Sequence, residues 1–301
     1  MEYNIEMPTK CAAMTLFFLF CAGSVQAGET DGARDLLGTA SSALRSWLAD
    51  QPNWMGRIDT GLQFGEDIEP EFYLETVQPL RQTPDRAHTW FVQPRVGYRE
   101  DDGDLYNLGA GYRRYLERQN ALAGLNLFGD FENRHDHGRL GIGLEWLSTP
   151  LDLRMNVYVG LTPRRQVGTV LTGPVFEKVA DGLDFEAGVP VPYLSGVKLF
   201  GGGQIYFFDE TETERYGWRA RLEIKPLSWT TVNLGLRDDN DGPAEWRFDI
   251  RVSLGFGAGG TTPDQPSKAD ARDRALDRVE REHRLVKERF GEGLSFFVAK
   301  A

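Results

Sequence analysis

Side-chain character alternates with a period of two along much of this chain, most clearly over residues 139–147 and 151–162. Every second position in these runs is Leu, Ile, Met, Val or Trp, and the positions between are mostly charged, polar or glycine. Successive side chains of a β-strand point to opposite faces. Each run is therefore predicted to be a strand with one apolar face and one polar face.

The same alternation extends in both directions and predicts an all-β protein. The predicted strands, twelve in number, are residues 54–65, 71–80, 89–99, 105–116, 121–132, 139–147, 151–162, 182–192, 197–208, 216–226, 231–237 and 245–256. Most are close to the roughly 9–11 residues that a tilted strand needs to cross a bilayer. Many of the connections are short enough for hairpins, so neighbouring strands are expected to pair antiparallel.

The connections between the predicted strands fall into two alternating classes. One class is mostly short and comprises residues 117–120, 148–150, 195–196 and 227–230, with 81–88 as a longer exception. The other is polar, mostly acidic and often longer, and comprises residues 66–69, 100–104, 133–138, 163–181, 209–214 and 238–244. Transmembrane barrels have short periplasmic turns and longer outer loops, whereas a soluble β-domain has no reason to sort its loops. The sequence therefore predicts a twelve-stranded antiparallel transmembrane β-barrel.

In such a barrel the apolar faces contact lipid and the charged faces line the lumen. The positions predicted to face lipid are Leu140, Ile142, Leu144, Leu153, Met155, Val157, Val159, Phe248, Ile250, Val252 and Leu254. The positions predicted to face the lumen are Arg95, Arg113, Asp130, Arg139, Glu145, Arg154, Glu186, Arg219, Arg221, Glu223, Arg247, Asp249 and Arg251. Both signs of charge are interleaved on that second face, so opposite charges can pair there.

The two ends of the chain differ from the strand region. Residues 11–21 form an apolar run with the length of a signal-peptide core, too short to span a bilayer, and cleavage is expected between Ala27 and Gly28. The predicted organisation is a signal peptide over 1–27, a periplasmic segment with a short helix over 28–52, a barrel over 53–257, and a linker, charged helix and short tail over 258–301. Charged residues dominate 267–290, and apolar residues recur there at helical spacing, so a helix is predicted that can sit in the lumen.

Charge and cysteine content narrow the function further. The formal net charge is -11 and there is no basic block, which argues against nucleic acid as a partner. Both cysteines, Cys11 and Cys21, lie in the predicted signal peptide, so neither a disulfide nor a thiolate metal site is expected in the exported chain. No nucleophile elbow or phosphate-binding loop is present, so an enzyme is not expected.

One short motif offers chemistry of its own. His135 and His137 flank Asp136 between two predicted strands, and two histidines in one turn can chelate zinc. A third ligand is not evident from the sequence. We therefore interpret the motif as a polar hairpin turn exposed outside the cell, and we expect no metal and no cofactor.

Several pieces of the chain resemble, in the same order, the translocator barrel of the inverse autotransporters, the intimin and invasin family. They are SSALRSWL at 41–48, NLGAGYRRYL at 107–116, LAGLNLFGDFENRHDHGRLGIGLEW at 122–146, LDLRMNVYVGLT at 151–162 and ADGLDFEAGVPVPYL at 180–194. The resemblance implies an outer-membrane barrel with a periplasmic N-terminus, partnered by outer-membrane lipid and the barrel assembly machinery. It also implies a segment that re-enters the pore and leads an adhesive passenger to the cell surface.

The residues after the last predicted strand depart from that pattern. Only 45 residues follow Phe256, fewer than the roughly 100 residues of an immunoglobulin-like domain. No passenger domain is recognisable, so adhesion is not carried over. The predicted function is an outer-membrane barrel resembling a secretion translocator, with its own C-terminal helix in the pore. A stand-alone pore and a surface-binding barrel are the alternatives.

Overall fold

The computed structural model describes residues 58–66, 68–170, 173–227, 229–254 and 270–291, and the statements below concern these residues. They belong to one compact unit, Pro52–Ala301. The predicted signal peptide, the predicted short helix within 28–52 and most of the linker and tail lie outside the described residues.

The described chain is built from strands. They are β1 (Ile58–Gly65), β2 (Ile68–Thr76), β3 (Gln78–Gln82), β4 (His88–Arg99), β5 (Gly103–Leu116), β6 (Ala121–Glu132), β7 (His137–Ser148), β8 (Asp152–Gly160), β9 (Arg165–Val170), β10 (Gly173–Val179), β11 (Asp181–Pro190), β12 (Val197–Phe208), β13 (Thr213–Leu227), β14 (Thr230–Asp239), β15 (Glu245–Leu254) and β16 (Lys287–Gly291). Two short 3-10 turns, Glu117–Gln119 and Ala271–Arg274, accompany them. Within the described part of the chain, no helix is long and apolar enough to cross a membrane.

Twelve strands close into a ring, which confirms the predicted antiparallel barrel. Each strand pairs with its neighbour in sequence, except that β8 pairs with β11 and the hairpin β9–β10 stands outside the ring. The ring closes because β1 pairs with both β15 and β2, and β2 pairs with β4. The short strand β3 continues β2 along β4, and the register shifts between Pro79 and Arg81. Proline cannot donate to a ladder, so an interruption at this point is expected.

The polarity of the two faces of the ring strands is the opposite of that in a soluble barrel. The buried face is polar and charged, and the exposed face is apolar. In β8, Asp152, Arg154 and Asn156 are buried, whereas Met155 and Val157 are 44% and 41% exposed. The same alternation runs through β4, through β6 from Leu125 onward, and through β7 as far as Leu147. A barrel whose exposed side is apolar and whose buried side is charged matches a transmembrane barrel and not a soluble one.

Aromatic rings on the buried side lie flat against glycines of the neighbouring strand. A Cβ at Gly111 would lie 2.3 Å from Cζ of Phe91, and one at Gly109 would lie 2.2 Å from Cε1 of Phe128. Both rings are almost fully buried. Only glycine leaves room for this close packing, so these residues set the local shape of the inner wall.

The predicted helix over 267–290 is wrong for the described residues 270–291. After the 3-10 turn Ala271–Arg274 the chain is extended, and it ends in β16, which pairs with β10. The physical reason is that arginines of the ring supply partners for backbone carbonyls that a helix would otherwise have to satisfy internally. Arg113 donates to the carbonyl of Ala275, and Arg139 donates to the carbonyls of Glu282 and Arg284.

The predicted outer loop 163–181 is also more ordered than expected. Strands β9 and β10 form a hairpin within it, and β16 adds a third strand to make a separate small sheet. The last described strand, β16, thus extends the hairpin that follows β8.

Candidate functional site

The buried charged face of the barrel is the principal candidate site. Among the positions predicted to face the lumen, those that are buried are Arg95, Arg113, Asp130, Arg139, Glu145, Arg154, Glu186, Glu223 and Arg251, and those that are half-buried are Arg219, Arg221, Arg247 and Asp249. Among those predicted to face lipid, Ile142, Leu144, Leu153, Met155, Val157 and Val159 are exposed, and Leu140, Phe248, Ile250 and Val252 are half-buried. The side chain of Leu254 lies outside what the structure describes.

Charged side chains on the buried face pair between adjacent strands and between strands one further apart in the ring. Arg113 on β5 donates to both carboxylate oxygens of Glu145 on β7, with its Nη2 at 2.9 and 3.1 Å. Glu186 on β11 accepts from Arg154 at 3.1 Å and from Arg221 at 2.8 Å. Buried charges are tolerated only when they are paired and hydrogen-bonded, and these residues satisfy that requirement.

The segment 270–291, called the lumen segment below, forms further ion pairs with the buried face of the barrel strands. Its contacts reach β2, β6 and β15, which lie on different sides of the ring, so the segment runs inside the barrel. Ala271, Ala275, Val279 and Leu285 are nearly fully buried. Val279 packs with Val77, Phe91 and Phe128.

The lumen segment begins at the end of the barrel that carries the short turns. The backbone N–H of Ala271 donates to the Asn120 side chain at 3.0 Å, and Arg86 pairs with Asp273 at 2.9 Å. Arg274 donates to Asp152 at 2.6 and 2.9 Å and to the carbonyl of Ser148 at 3.1 Å. The connection 81–88, unusually long for its class, is therefore a contact site for the start of the lumen segment.

The middle of the lumen segment is held by the centre of the wall. Arg278 pairs with Glu75 at 3.1 Å, and the N–H of Val279 donates to Gln93 Oε1 at 2.9 Å. Arg281 donates to the two oxygens of Asp130 at 2.7 and 2.6 Å, and both side chains are fully buried.

The segment ends at the opposite end of the barrel, where the longer loops lie. Arg284 pairs with Asp102 at 3.2 Å, and Lys287 pairs with Asp102 at 2.8 Å and with Glu132 at 2.9 Å. Glu288 accepts from the N–H of Glu210 at 3.2 Å. The order of residues 271 to 288 thus follows the barrel from the short-turn end to the long-loop end.

A cavity of about 150 Å³ remains beside the lumen segment. Its lining includes Arg219, Arg221, Arg247, Glu280 and Glu282. A cavity of this volume and polarity can hold several ordered waters, so the unfilled part of the barrel interior is polar.

A second cluster lies at the long-loop end, at the histidine motif. His135 Nδ1 is 3.1 Å and His137 Nε2 is 3.4 Å from Oε2 of Glu177 on β10. The predicted exposed turn is wrong at one position: His137 is the first residue of β7 and is fully buried, because the hairpin β9–β10 covers it. His135 remains partly exposed.

The electrostatics of this cluster favour a charged carboxylate and a neutral imidazole. Burial by itself raises the pKa of Glu177, but its contacts with His137, Lys287 and Arg289 outweigh burial and hold the pKa well below its usual value. Burial lowers the pKa of His135 more than the nearby Glu177 raises it. Near neutral pH, Glu177 is therefore ionised and His135 carries a free lone pair.

The contact between Glu177 and the histidine motif could not be predicted from the sequence alone. Residues 165–179 contain two short β-branched runs, and Gly173 follows the first. That pattern indicates a hairpin, and it is the feature of the sequence from which β9 and β10 could have been predicted. Because nearly every side chain of β9 is exposed, the runs lack the strict alternation that marks the ring strands.

A closed twelve-stranded antiparallel barrel with a charged interior and an apolar exterior is the architecture of an outer-membrane β-barrel. The chain belongs to the inverse autotransporter family, because the model of the inverse autotransporter β-domain matches residues 23–283. The protein is therefore an outer-membrane barrel of a family that is not an enzyme family.

Two Escherichia coli K12 relatives agree with this assignment. The inverse autotransporter adhesin YeeJ is 25% identical over 272 residues, which are 83% of this chain and 11% of that protein. An attaching and effacing protein homolog is 30% identical over 136 residues, which are 44% of each. The chain thus matches less than half the length of either relative.

A solved structure has the same fold. It is described as "Unveiling the Mechanism Behind the in-meso Crystallization of Membrane Proteins", and it superposes with a TM-score of 0.66 at 19% identity. The superposition covers 78% of this chain and 99% of the other. At that identity the likeness concerns the fold alone.

Proposed function

We propose that this barrel acts as an inverse-autotransporter translocator, that the lumen segment is its linker, and that it performs no chemistry of its own. The order of contacts along the lumen segment carries the proposal. Ala271 is bonded at Asn120 in a short turn, and Glu288 is bonded at Glu210 in a long loop. Short turns are periplasmic and long loops external in such barrels, so the lumen segment runs from the periplasmic end to the outer end.

The chemistry of the wall fits a linker that stays in place. Arg113, Arg139 and Asp130 are bonded both to ring strands and to the lumen segment. If the segment left, these buried groups would lose partners that only water could replace, and unpaired buried charges are costly. The resting barrel is therefore closed to ions by its own chain.

The exposed apolar side chains complete the proposal. Leu144 is 56% exposed and Leu153 is 43% exposed, and both lie within ring strands. In water, such a band of apolar surface around the whole barrel would cause aggregation. We assign it to outer-membrane lipid, into which the barrel assembly machinery would insert the chain.

Conductance in planar lipid bilayers tests the closed pore. The full chain is compared with a chain that ends at Gly260, and the fold of both is first checked by the heat-dependent shift in gel mobility that folded barrels show. The full chain is expected to conduct little, and the shortened chain is expected to give ohmic channels. Equal conductance of the two chains would show that the lumen segment does not close the pore.

A further inference from the structure

The histidine motif, Glu177 and the end of the lumen segment meet at the outer end of the barrel. His135 lies in the turn between β6 and β7, His137 begins β7, and Glu177 lies on β10. We propose that His135, His137 and Glu177 bind one divalent transition-metal cation, with Zn²⁺ as the best match. Nothing in the translocator role requires such a site.

The spacing of the three ligand atoms suits zinc. With metal–ligand bonds of about 2.0–2.1 Å, ligand atoms around tetrahedral zinc lie about 3.4 Å apart. Glu177 Oε2 lies 3.1 Å from His135 Nδ1 and 3.4 Å from His137 Nε2. One potential ligand atom from each residue lies within 4.8 Å of the others. Side-chain rotations that draw these atoms together would allow all three residues to bind one metal ion.

The ring of His137 is oriented for this purpose. Its Nδ1 lies 3.3 Å from the hydroxyl of Thr162. Its Nε2 is buried, points at Glu177 and forms no hydrogen bond within the described residues. A metal-binding histidine commonly donates its second ring N–H to a fixed oxygen, and that bond leaves the lone pair of the other nitrogen for the metal.

The carboxylate of Glu177 is likewise positioned by a neighbour. Arg289 on β16 donates to Oε1 of Glu177, with its Nε at 2.9 Å. The other oxygen, Oε2, is the one that faces both histidines. Arg289 therefore holds one oxygen in place and leaves the second oxygen available as a metal ligand.

Two positive side chains near the site, Lys287 and Arg284, are paired with other carboxylates, so they do not prevent a cation from binding. Lys287 lies 3.8 Å from Glu177 Oε2 but is closer to Asp102 and Glu132, at 2.8 and 2.9 Å. Arg284 also pairs with Asp102. Lys287 thus has carboxylates of its own to hold it when a metal occupies Glu177. Two nitrogen ligands and one oxygen ligand favour Zn²⁺ over Mg²⁺ or Ca²⁺, which prefer oxygen.

The partly exposed His135 leaves the fourth position to water, as in zinc sites with three protein ligands. A bound metal would fasten the hairpin β9–β10 to the turn between β6 and β7. Since β16 pairs with β10, the metal would also fix the end of the lumen segment at the outer face. The proposed role is a structural clamp.

Titration of metal into the chelator-treated full chain in detergent, purified without a histidine tag, tests the proposal. Isothermal titration calorimetry with Zn²⁺ is expected to give one site per chain. Co²⁺ is expected to give visible absorption bands of tetrahedral intensity. Glu177→Gln and His135→Gln are each expected to weaken binding at least about tenfold, and Thr162→Val about tenfold, as typical for removal of an outer-shell partner.

The control variant is His88→Gln, because His88 lies elsewhere, against Tyr112. It is expected to bind Zn²⁺ like the unmodified chain. His135 lies in a turn, so His135→Gln is expected to leave the barrel folded and remains decisive even if a change at a buried position disturbs folding. Absence of a saturable Zn²⁺ site in the unmodified chain, or equal affinity in Glu177→Gln and His135→Gln, would overturn the proposal.

Discussion

Among the described ion pairs between the barrel strands and the lumen segment, the bidentate pair of Arg281 and Asp130 is the most deeply buried, so we expect Arg281→Ala to loosen the segment markedly. Both side chains are fully buried, and the two bonds measure 2.7 and 2.6 Å. After the substitution Asp130 keeps Arg139 at 2.8 Å and Asn107 at 2.7 Å, so its charge is not left unpaired.

The expected magnitude follows from these retained partners. Breaking a buried pair costs about 3–5 kcal/mol when the remaining charge is uncompensated. Because Asp130 remains compensated, the loss is closer to that of charged hydrogen bonds, about 2–3 kcal/mol. A factor of ten corresponds to about 1.4 kcal/mol. The fraction of barrels whose lumen segment has left its place should therefore rise by roughly 30- to 150-fold.

Thiol labelling measures that fraction. Expressed from Gly28, the chain has no cysteine of its own, so Val279→Cys introduces one thiol at a fully buried position of the lumen segment. A water-soluble maleimide reacts with it only when the segment opens. When reclosing is faster than labelling, the rate is proportional to the open population.

Arg284→Ala is the matched control. Arg284 is three residues further along the same segment, its side chain is 33% exposed, and its pair with Asp102 measures 3.2 Å. A pair that exposed contributes less than about 1 kcal/mol, so labelling should accelerate by no more than about fivefold. Equal labelling rates in the two variants, or no acceleration in Arg281→Ala, would refute the assignment of the Asp130 pair as the main hold on the segment.

Two further predictions concern the wall itself. Leu144→Arg, in the middle of β7, is expected to destabilise the barrel in lipid by about 2–4 kcal/mol, whereas Leu161→Arg, which follows β8 and is 61% exposed, should be nearly neutral; equal urea midpoints in liposomes would contradict the lipid assignment. Gly111→Ala is expected to cost about 1–3 kcal/mol by displacing the buried ring of Phe91, whereas Gly129→Ala meets nothing within 4 Å; the temperature of the gel-mobility shift should fall for the first variant only.

The ring strands could be predicted from the sequence because their environment is uniform. Every strand has one face toward the interior and one toward the exterior, so a period of two persists from one strand to the next. The bounds predicted for residues 121–132 and 197–208 equal those of β6 and β12. Alternating loop lengths then distinguished a membrane barrel from a soluble one.

The lumen segment could not be predicted because its conformation depends on partners that are distant in sequence. Leu276, Val279, His283 and Val286 follow helical spacing among charged residues, and in water that pattern favours a helix. Inside the barrel, however, Arg113 and Arg139 compete for the backbone carbonyls and carboxylates of the wall compete for the basic side chains. Tertiary contacts outweigh local propensity here.

The contact of Glu177 with the two histidines could not be predicted from the sequence for a related reason. His135 and His137 are neighbours in sequence and were visible as possible ligands. Glu177 lies on β10, most of whose side chains are half-buried, and the preceding strand β9 is mostly exposed, so the alternation typical of the ring strands does not mark this hairpin. The pairing of β10 with β16, which is distant in sequence, helps to hold that hairpin over His137.

Surface accessibility on intact cells tests the central claim, that the lumen segment carries the chain from the periplasmic to the outer end of the barrel. An epitope tag is placed at the C-terminal end of the chain, and an identical tag is placed directly after the predicted cleavage site at Gly28 as a periplasmic control. We expect added protease to remove the C-terminal tag from intact cells and to reach the other tag only after the outer membrane is permeabilised. Protection of the C-terminal tag on intact cells, with cleavage only after permeabilisation, would contradict the account.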